Sequence, residues 1–466
     1  MKKDFDDIKT EKYWFKGKPR SVLQIKGPLT KEKVIKISEL KNEPEWMLKK
    51  RLWGYEWFLR LGLPDWGPDL SGLDINDAIL YSSPLAKKPK TWDEIPEDIK
   101  EAFRKLGISE EEAKMLAGVG LQYDSEVIYK QVKKMLEKTG VIFLSMDEAV
   151  QQYPEMVKKY FGTIVPPADN KFAALNTAVW SGGTFIYVPE NVKVPIPLHT
   201  YYRINLEGIS QFERTLIIAD ENAEVTFVEG CSAPIYSKAS LHAAVVEVIA
   251  KKNSTVKYVT IQNWSKNVYN LVTKRAIAYE NARVSWISAA FGSKTIMLYP
   301  AVILKGNNSK AEIISVALVT NNQHFDTGGR AIHVGKNTKS SMVSKTISIG
   351  NGKATFRGDV RILNGAKNSI ANIKCESLIE GNGEASSIPK IMVQEDSSYF
   401  NHEAKIERFD EEKMFYLMAR GLDKNKCKSL VYLGFFEDVV SKIPLEYALE
   451  IKRLIDVDIE ELGGNG

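Results

Sequence analysis

Cys375 lies in the strand-like run "ANIKCESLIEG" (residues 371–381), and His402 and Glu403 follow in "FNHEAKIE" (residues 400–407). The chain has three cysteines, Cys231, Cys375 and Cys427, and five histidines. A thiolate beside an imidazole and a carboxylate is either a metal-ligand set or a nucleophile with its base. One Cys, one His and one Glu leave a multi-iron cluster under-ligated, a deficit that a second chain could fill across an interface. A zinc site would show paired cysteines or His-x₃₋₅-His spacing, and neither occurs. The plainer alternative is that Cys375 is a small buried apolar residue and His402 caps a strand end. Cys231, at a strand end in "TFVEGCSAPIYSKAS", could be an accessible thiol that accepts sulfur, or it could be structural. Cys427, in "KNKCKSLVYLG", is expected on the first turn of a helix, on a solvated, lysine-flanked face.

These residues can share a site only if the fold repeats. From about residue 180 the sequence consists of β-branched runs separated by Asn, Gly or Ser. Turn-like residues recur at Asn191, Gly208, Asn222, Ala239, Asn253, Asn267, Asn281 and onward to Ser397, in nearly even steps. Evenly spaced short strands with Asn/Gly corners predict a solenoid, a right-handed parallel β-helix, in preference to a β-sandwich of hairpins. Two arms make a rung of about 28 residues, and neighbouring rungs lie about 4.8 Å apart. The spacing of His402 and Glu403 from Cys375 matches one rung, so both fall beside it to within a residue or two. Counted from Asn222, the arms of Cys231, Cys375 and His402 are all even, which puts them in one sheet. Cys231 is then about five rungs from Cys375, roughly 25 Å along the axis.

Helical regions are expected on both sides of this core. Residues 1–165 read as mainly helical, with a start at Ser109 in "GISEEEAKMLAGVG" and a helix in "DSEVIYKQVKKMLEKTG" that stops at Gly140. Four closely spaced tryptophans, Trp46, Trp53, Trp57 and Trp66, suggest an aromatic core, a docking surface or a cofactor-stacking site. The solenoid spans 166–408. Residues 409–466 form a helical domain with a start at Asp410, a stop at Gly421, and Pro444 opening its last helix.

Composition narrows the function classes. The 466 residues are 44% apolar and 26% charged, with a net charge of +5 spread along the chain. Such a chain reads as soluble, with a large core and no nucleic-acid footprint. The N-terminus lacks the apolar core of a secretory leader, and no run approaches the ~18 residues that span a bilayer, so neither export nor a membrane is expected. Three scattered cysteines favour the reducing cytoplasm. Without a GxxxxGK[ST] segment, any ATP must be handled by a partner. A carbohydrate-cleaving β-helix would need paired carboxylates on adjacent rungs, and no pair stands out.

The stretches "EPEWML", "ISQFERTLIIADENAEVTFVEGCSAP", "IQNW", "LVTKRA", "FDTGGRAIHVGKNTKS", "NIKCESLI", "HEAKI" and "PLEYALEIKRL" together resemble the SufB/SufD family of the Suf iron–sulfur cluster assembly machinery. The cysteine of "EGCSAP" points to the SufB branch, because SufD proteins typically lack it. The resemblance implies an assembly scaffold, not an enzyme, that builds a transient 4Fe-4S or 2Fe-2S cluster for apo-proteins. The alternative is a SufD-like structural partner without sulfur chemistry. Implied partners are the ABC-type ATPase SufC at the C-terminal domain, SufD or a second copy through the C-terminal strands, and a cysteine desulfurase system as sulfur donor. Reduced FAD is implied as a source of electrons, although no flavin motif is legible. By the same resemblance Cys231 is the sulfur acceptor. Cys375, His402 and Glu403 hold the nascent cluster, and Arg203, Asn205, Gln262, Trp264 and Lys274 line a sulfur path. Asn401 stands where many relatives carry a further acid, and the N-terminal cysteine cluster of some relatives is missing.

Overall fold

The computed structural model describes residues 21–85, 89, 92–105, 118–132, 134–234, 236–441, 448, 451–456 and 458–459. Its core is a parallel β-solenoid of about eight turns, with helices at both ends. Two sheets face each other. The first, which carries all the cysteine-bearing strands of the solenoid, runs through Leu198–Arg203, Glu224–Ser232, Thr255–Trp264, Arg283–Gly292, Lys310–Val319, Lys339–Gly350, Ile370–Gly381 and Tyr399–Arg408, each paired in parallel with the next. The opposite sheet interleaves with it in sequence and ends at Glu384–Val393. Rung length varies within the first sheet, from the short rung that pairs Arg283 with Lys310 to the long one that pairs Glu224 with Thr255. The β-sandwich alternative fails because successive strands alternate between two parallel sheets instead of pairing as hairpins.

The corners explain the Asn period. Asn191, Asn222, Asn253, Asn281, Asn308, Asn322, Asn337 and Asn368 all have positive φ, a conformation that Asn tolerates better than other side chains. Their amides also stack. The Nδ2 of Asn222 donates to Asn191, Asn253 to Asn222, Asn281 to Asn253 and Asn308 to Asn281, at 2.8–3.1 Å. One corner thus pins the register of the next. At Asn351 and Asn382, which continue the same spacing, the preceding glycines, Gly350 and Gly381, take the left-handed position instead.

Along each strand, alternate residues fill the interior. Trp286, Ile313, Met342 and Ile373 of the first sheet meet Ala331, Phe356 and Val360 of the opposite one in a continuous apolar core. The outer face of the first sheet is apolar too. Val316, Leu318, Ile347 and Leu378 pack under Tyr432, Phe436 and Val439 of the C-terminal helix Lys424–Val440.

The flanking regions correct two expectations. Among the described residues before 165, helices predominate but are interspersed with five short strands. The segment expected as a helix ending at Gly140 forms strand Glu126–Val132, hairpin-paired with Gly118–Tyr123, and only Lys134–Glu137 is helical. Asp124 at φ +53 makes the turn, and the hairpin extends the first sheet, so pairing overrides local helical spacing. Ser109 and the glutamates after it, and Pro444, lie outside the described residues. Cys427, in the first turn of helix Lys424–Val440, is fully buried and does not sit on a solvated face. Asp410 does cap its helix through the N–H groups of Glu412 and Lys413, and Gly421 follows that helix at φ +88. Of the clustered tryptophans, Trp53 and Trp66 are exposed; Trp66 packs on Tyr299 and Arg357.

Candidate functional site

Cys231 lies near the end of strand Glu224–Ser232, abreast of Tyr202 on one side and Gln262 on the other. The alternation Val225, Phe227, Glu229, Cys231 points into the solenoid, and the thiol is only 4% exposed. It is therefore not the accessible corner thiol that its neighbouring Gly and Pro suggest. Its Sγ lies 3.5 Å from Glu229 Oε1. That carboxylate also accepts from the Tyr258 hydroxyl and from Thr260 Oγ1 at 3.1 Å, and Lys274 Nζ of the opposite sheet is 3.5 Å away. Burial raises the pKa of Glu229, but Lys274, Tyr258 and His242 outweigh it, so the group is held below the ordinary carboxylate range. Cys231 moves the other way. Burial, then the charges of Glu229 and Glu213, push its thiol well above the ordinary value. The resting site is a protonated thiol next to a fixed carboxylate.

The chamber continues around Gln262. Its Oε1 accepts from Asn270 Nδ2 at 2.6 Å, and Asn270 Oδ1 lies 2.7 Å from His242 Nδ1. His242 Nε2 meets Glu213 Oε1 at 2.5 Å, and its ring packs 4.6 Å from Trp264. Both imidazole nitrogens face oxygen acceptors. Burial opposes charge on His242, but Glu213 and Asn270 offset it and raise its pKa above the ordinary value. Cys231, Gln262, Trp264 and Lys274 thus come together. Arg203 and Asn205 belong to an adjoining buried group. Arg203 is paired in register with Ser232, to which it donates at 3.2 Å, and the Asn205 N–H donates to Asp124 Oδ1 at 2.7 Å. Sequence reasoning missed Glu213, Glu229, His242, Asn270 and Asp124. The period itself was the available signal, because His242 stands one rung after Glu213 and one rung before Asn270.

At the other end, Cys375 is 2% exposed and also faces the interior. Burial pushes its thiol up to about 11, with the Ser387 and Ser377 hydroxyls pulling the other way. The register pairs Cys375 with Ala404, Ile373 with His402 and Lys374 with Glu403. Cys375 thus sits abreast of the residue just beyond the expected pair, and the two candidate partners part company. His402 shares the inward face with Cys375, whereas Glu403 shares the outward face with Lys374. His402 Nε2 is shielded from solvent and has no hydrogen-bond partner. Among the described residues, no group of three or more His, Cys, Asp or Glu could by itself hold a metal ion. Strands Glu384–Val393 and Tyr399–Arg408 end the two sheets, and Ile388, Ile391, Met392, Val393, Tyr399 and Ile406 are exposed on them.

Residues 202–435 match the SufBD core domain of the SUF system of iron–sulfur cluster assembly, and residues 115–200 match the SufBD N-terminal region. The chain belongs to the SufBD family. It is 47% identical over 461 residues to the iron–sulfur cluster assembly protein SufB of Bacillus subtilis (strain 168), covering 99% of both chains. The same identity and coverage hold for SufBD family proteins of Staphylococcus aureus (strain USA300) and Staphylococcus saprophyticus. The matched core runs from the Arg203 strand to the C-terminal helix, and so includes both interior thiols. No helix of the described residues is long and apolar enough to cross a membrane.

Proposed function

We propose that this SufBD protein is a cytoplasmic scaffold that takes up sulfur at Cys231 and assembles a nascent iron–sulfur cluster at Cys375 and His402. The observation that carries the reading is that the two thiols open onto the same solenoid interior from one sheet, five strands apart. Glu229 takes the proton from Cys231, and the thiolate attacks the outer sulfur of a donor persulfide, R–S–SH. The products are Cys231–S–SH and R–S⁻. Two electrons and one proton then return Cys231 to its thiol and release HS⁻; the family resemblance points to reduced flavin as the donor of those electrons. Lys274 and protonated His242 stabilise negative charge in the chamber at each stage.

Cys375 and His402 supply two protein ligands to the cluster, which is the cargo. Glu403 faces outward and is not part of that set. A second SufBD chain seated on the exposed end strands supplies the rest, and the C-terminal helices engage an ABC-type ATPase. The buried Glu229–Cys231 pair favours this reading over a purely structural SufBD partner. The test is transfer of ³⁵S from a persulfide donor. Wild-type protein is expected to carry label that a reductant removes, and Cys231→Ala to carry none. Equal labelling of the two would overturn the assignment.

A further inference from the structure

The corners along one edge of the solenoid are tight except beside Cys231. Where the first sheet hands over to the opposite one, residues 265–267, 293–294, 320–323 and 351–352 are enough to make the turn. At the two rungs nearest Cys231 the connections are far longer. Residues 204–213 follow strand Leu198–Arg203, and after Glu224–Ser232 the chain re-enters the opposite sheet only at Ser240. Cys231 is the last residue but one of its strand, so it sits against these long connections.

Residues 204–209 form the wall next to the thiol. Ile204 and Ile209, both fully buried, share a small apolar cluster with Cys231, Tyr202 and Trp264, and half-buried Leu206 packs against it. Glu207, in the same segment, is exposed, so this wall is a single chain thick. The other sides are β-ladders: Tyr202 and Gln262 flank Cys231 in its own sheet, and His242 and Lys274 stand on paired strands of the opposite one. At its ends the segment bonds through backbone, Ile204 N–H to the Ser232 carbonyl at 3.0 Å and the Gly208 carbonyl to Ile79 N–H at 3.2 Å. Between those points side chains fasten it. Asp124 Oδ1 accepts from the Asn205 and Leu206 N–H groups at 2.7 and 3.2 Å, and the Tyr236 hydroxyl donates to the Asn205 carbonyl. Glu207 Oε1 reaches across to accept from the N–H groups of Ser237 and Lys238 at 3.0 and 3.2 Å. Gly208, at φ +72, supplies a hinge.

We propose that residues 204–209 are a lid that swings off the end of strand Glu224–Ser232 to admit a persulfide-bearing donor to Cys231. The inference rests on the scaffold reading above and adds the way in. Attack on a persulfide brings the thiol sulfur into line with the S–S bond, and a thiol 4% exposed behind this wall offers no such approach. Moving a ladder strand would break a row of backbone hydrogen bonds. Moving the lid releases a few bonds, of which those of Glu207 already lie at the surface.

The test reads the opening on the full-length chain carrying Cys375→Ser and Cys427→Ser, in which Cys231 is the one thiol. Its alkylation by iodoacetamide is followed by mass at urea concentrations below the unfolding transition. A lid exposes little surface as it opens, so the rate is expected to be nearly independent of urea. Glu207→Ala, which frees the segment from Ser237 and Lys238, should raise the rate about tenfold, the effect of roughly one charge-assisted hydrogen bond, with the unfolding midpoint unchanged. Glu207→Gln, which loses the charge but keeps an acceptor oxygen, should stay close to the parent rate. A urea slope equal to that of global unfolding, or a parent rate in Glu207→Ala, overturns the lid. Equal acceleration in Glu207→Gln also overturns it, by assigning the effect to charge near the thiol. With a ³⁵S-persulfide donor, Glu207→Ala should load label faster than its parent. A Cys231 that is alkylated as expected but takes no label refutes the scaffold reading and not the lid.

Discussion

Cys231 and Cys375 face one closed interior from the same sheet, five strands apart, and neither reaches the surface of the isolated chain. The fold thus keeps these two thiols from solvent and from each other. Burial raises the pKa of both thiols and so favours their protonated form.

The chamber charges should be readable in the reactivity of Cys231. Glu229 raises its pKa and Lys274 lowers it, after burial as the main cause. Glu229→Gln should therefore shift the pH profile of Cys231 alkylation to lower pH, and Lys274→Met should shift it to higher pH. Rates measured with iodoacetamide in a background of Cys375→Ser and Cys427→Ser would check this. Profiles that coincide for all three proteins would place the carboxylate and the ammonium away from the thiol.

Asp124 gives a stability signature of defined sign. Burial pushes it up to about 7, against the pull of the Asn205 and Leu206 N–H groups and Arg203. Between the ordinary carboxylate range and pH 7 the folded state holds a proton that the unfolded state has lost. Its contribution is therefore full at low pH and disappears as pH rises through 7. Asp124→Asn removes this component. The unfolding free energy of the wild type, taken relative to the variant, should therefore fall as pH is raised from the carboxylate range to neutrality. A difference that is constant with pH would contradict the shifted group.

The corner ladder should be worth stability that depends on backbone as well as side chain. Asn253 sits at φ +58, accepts from Asn281 at 2.9 Å and donates to Asn222 at 2.8 Å. Asn253→Ala is expected to cost about 1–2 kcal/mol, with Asn253→Gly costing less because Gly relieves the left-handed strain. Equilibrium urea unfolding of the two variants gives the comparison. An alanine variant as stable as the glycine one would show that the corner carries no strain.

Much of this architecture could be read from spacing. The Asn corners announced the solenoid because the left-handed bend selects for Asn and Gly, and counting arms put the two thiols and His402 in one sheet. Spacing could not assign faces. Rungs differ in length, as the Arg283–Lys310 and Glu224–Thr255 pairs show, and in a strand a slip of a single position turns a side chain from inside to outside. His402 and Glu403, neighbours in one strand, must take opposite faces, and the variable rung length is what left open which of them turns inward. The polar chamber was illegible for a related reason. Glu213, Glu229 and His242 look like surface residues until the two sheets close over them. Residues 126–132 have an apolar spacing that suits a helix, and only pairing with Gly118–Tyr123 decides for a strand.

Anaerobic reconstitution of the full chain with iron and sulfide, comparing wild type with Cys375→Ala and His402→Ala, tests the central claim most directly. Bound iron and acid-labile sulfide should fall to background in Cys375→Ala and drop sharply in His402→Ala. A Cys375→Ala protein that assembles the wild-type amount of cluster would contradict the assignment of the inner thiol as the site of assembly.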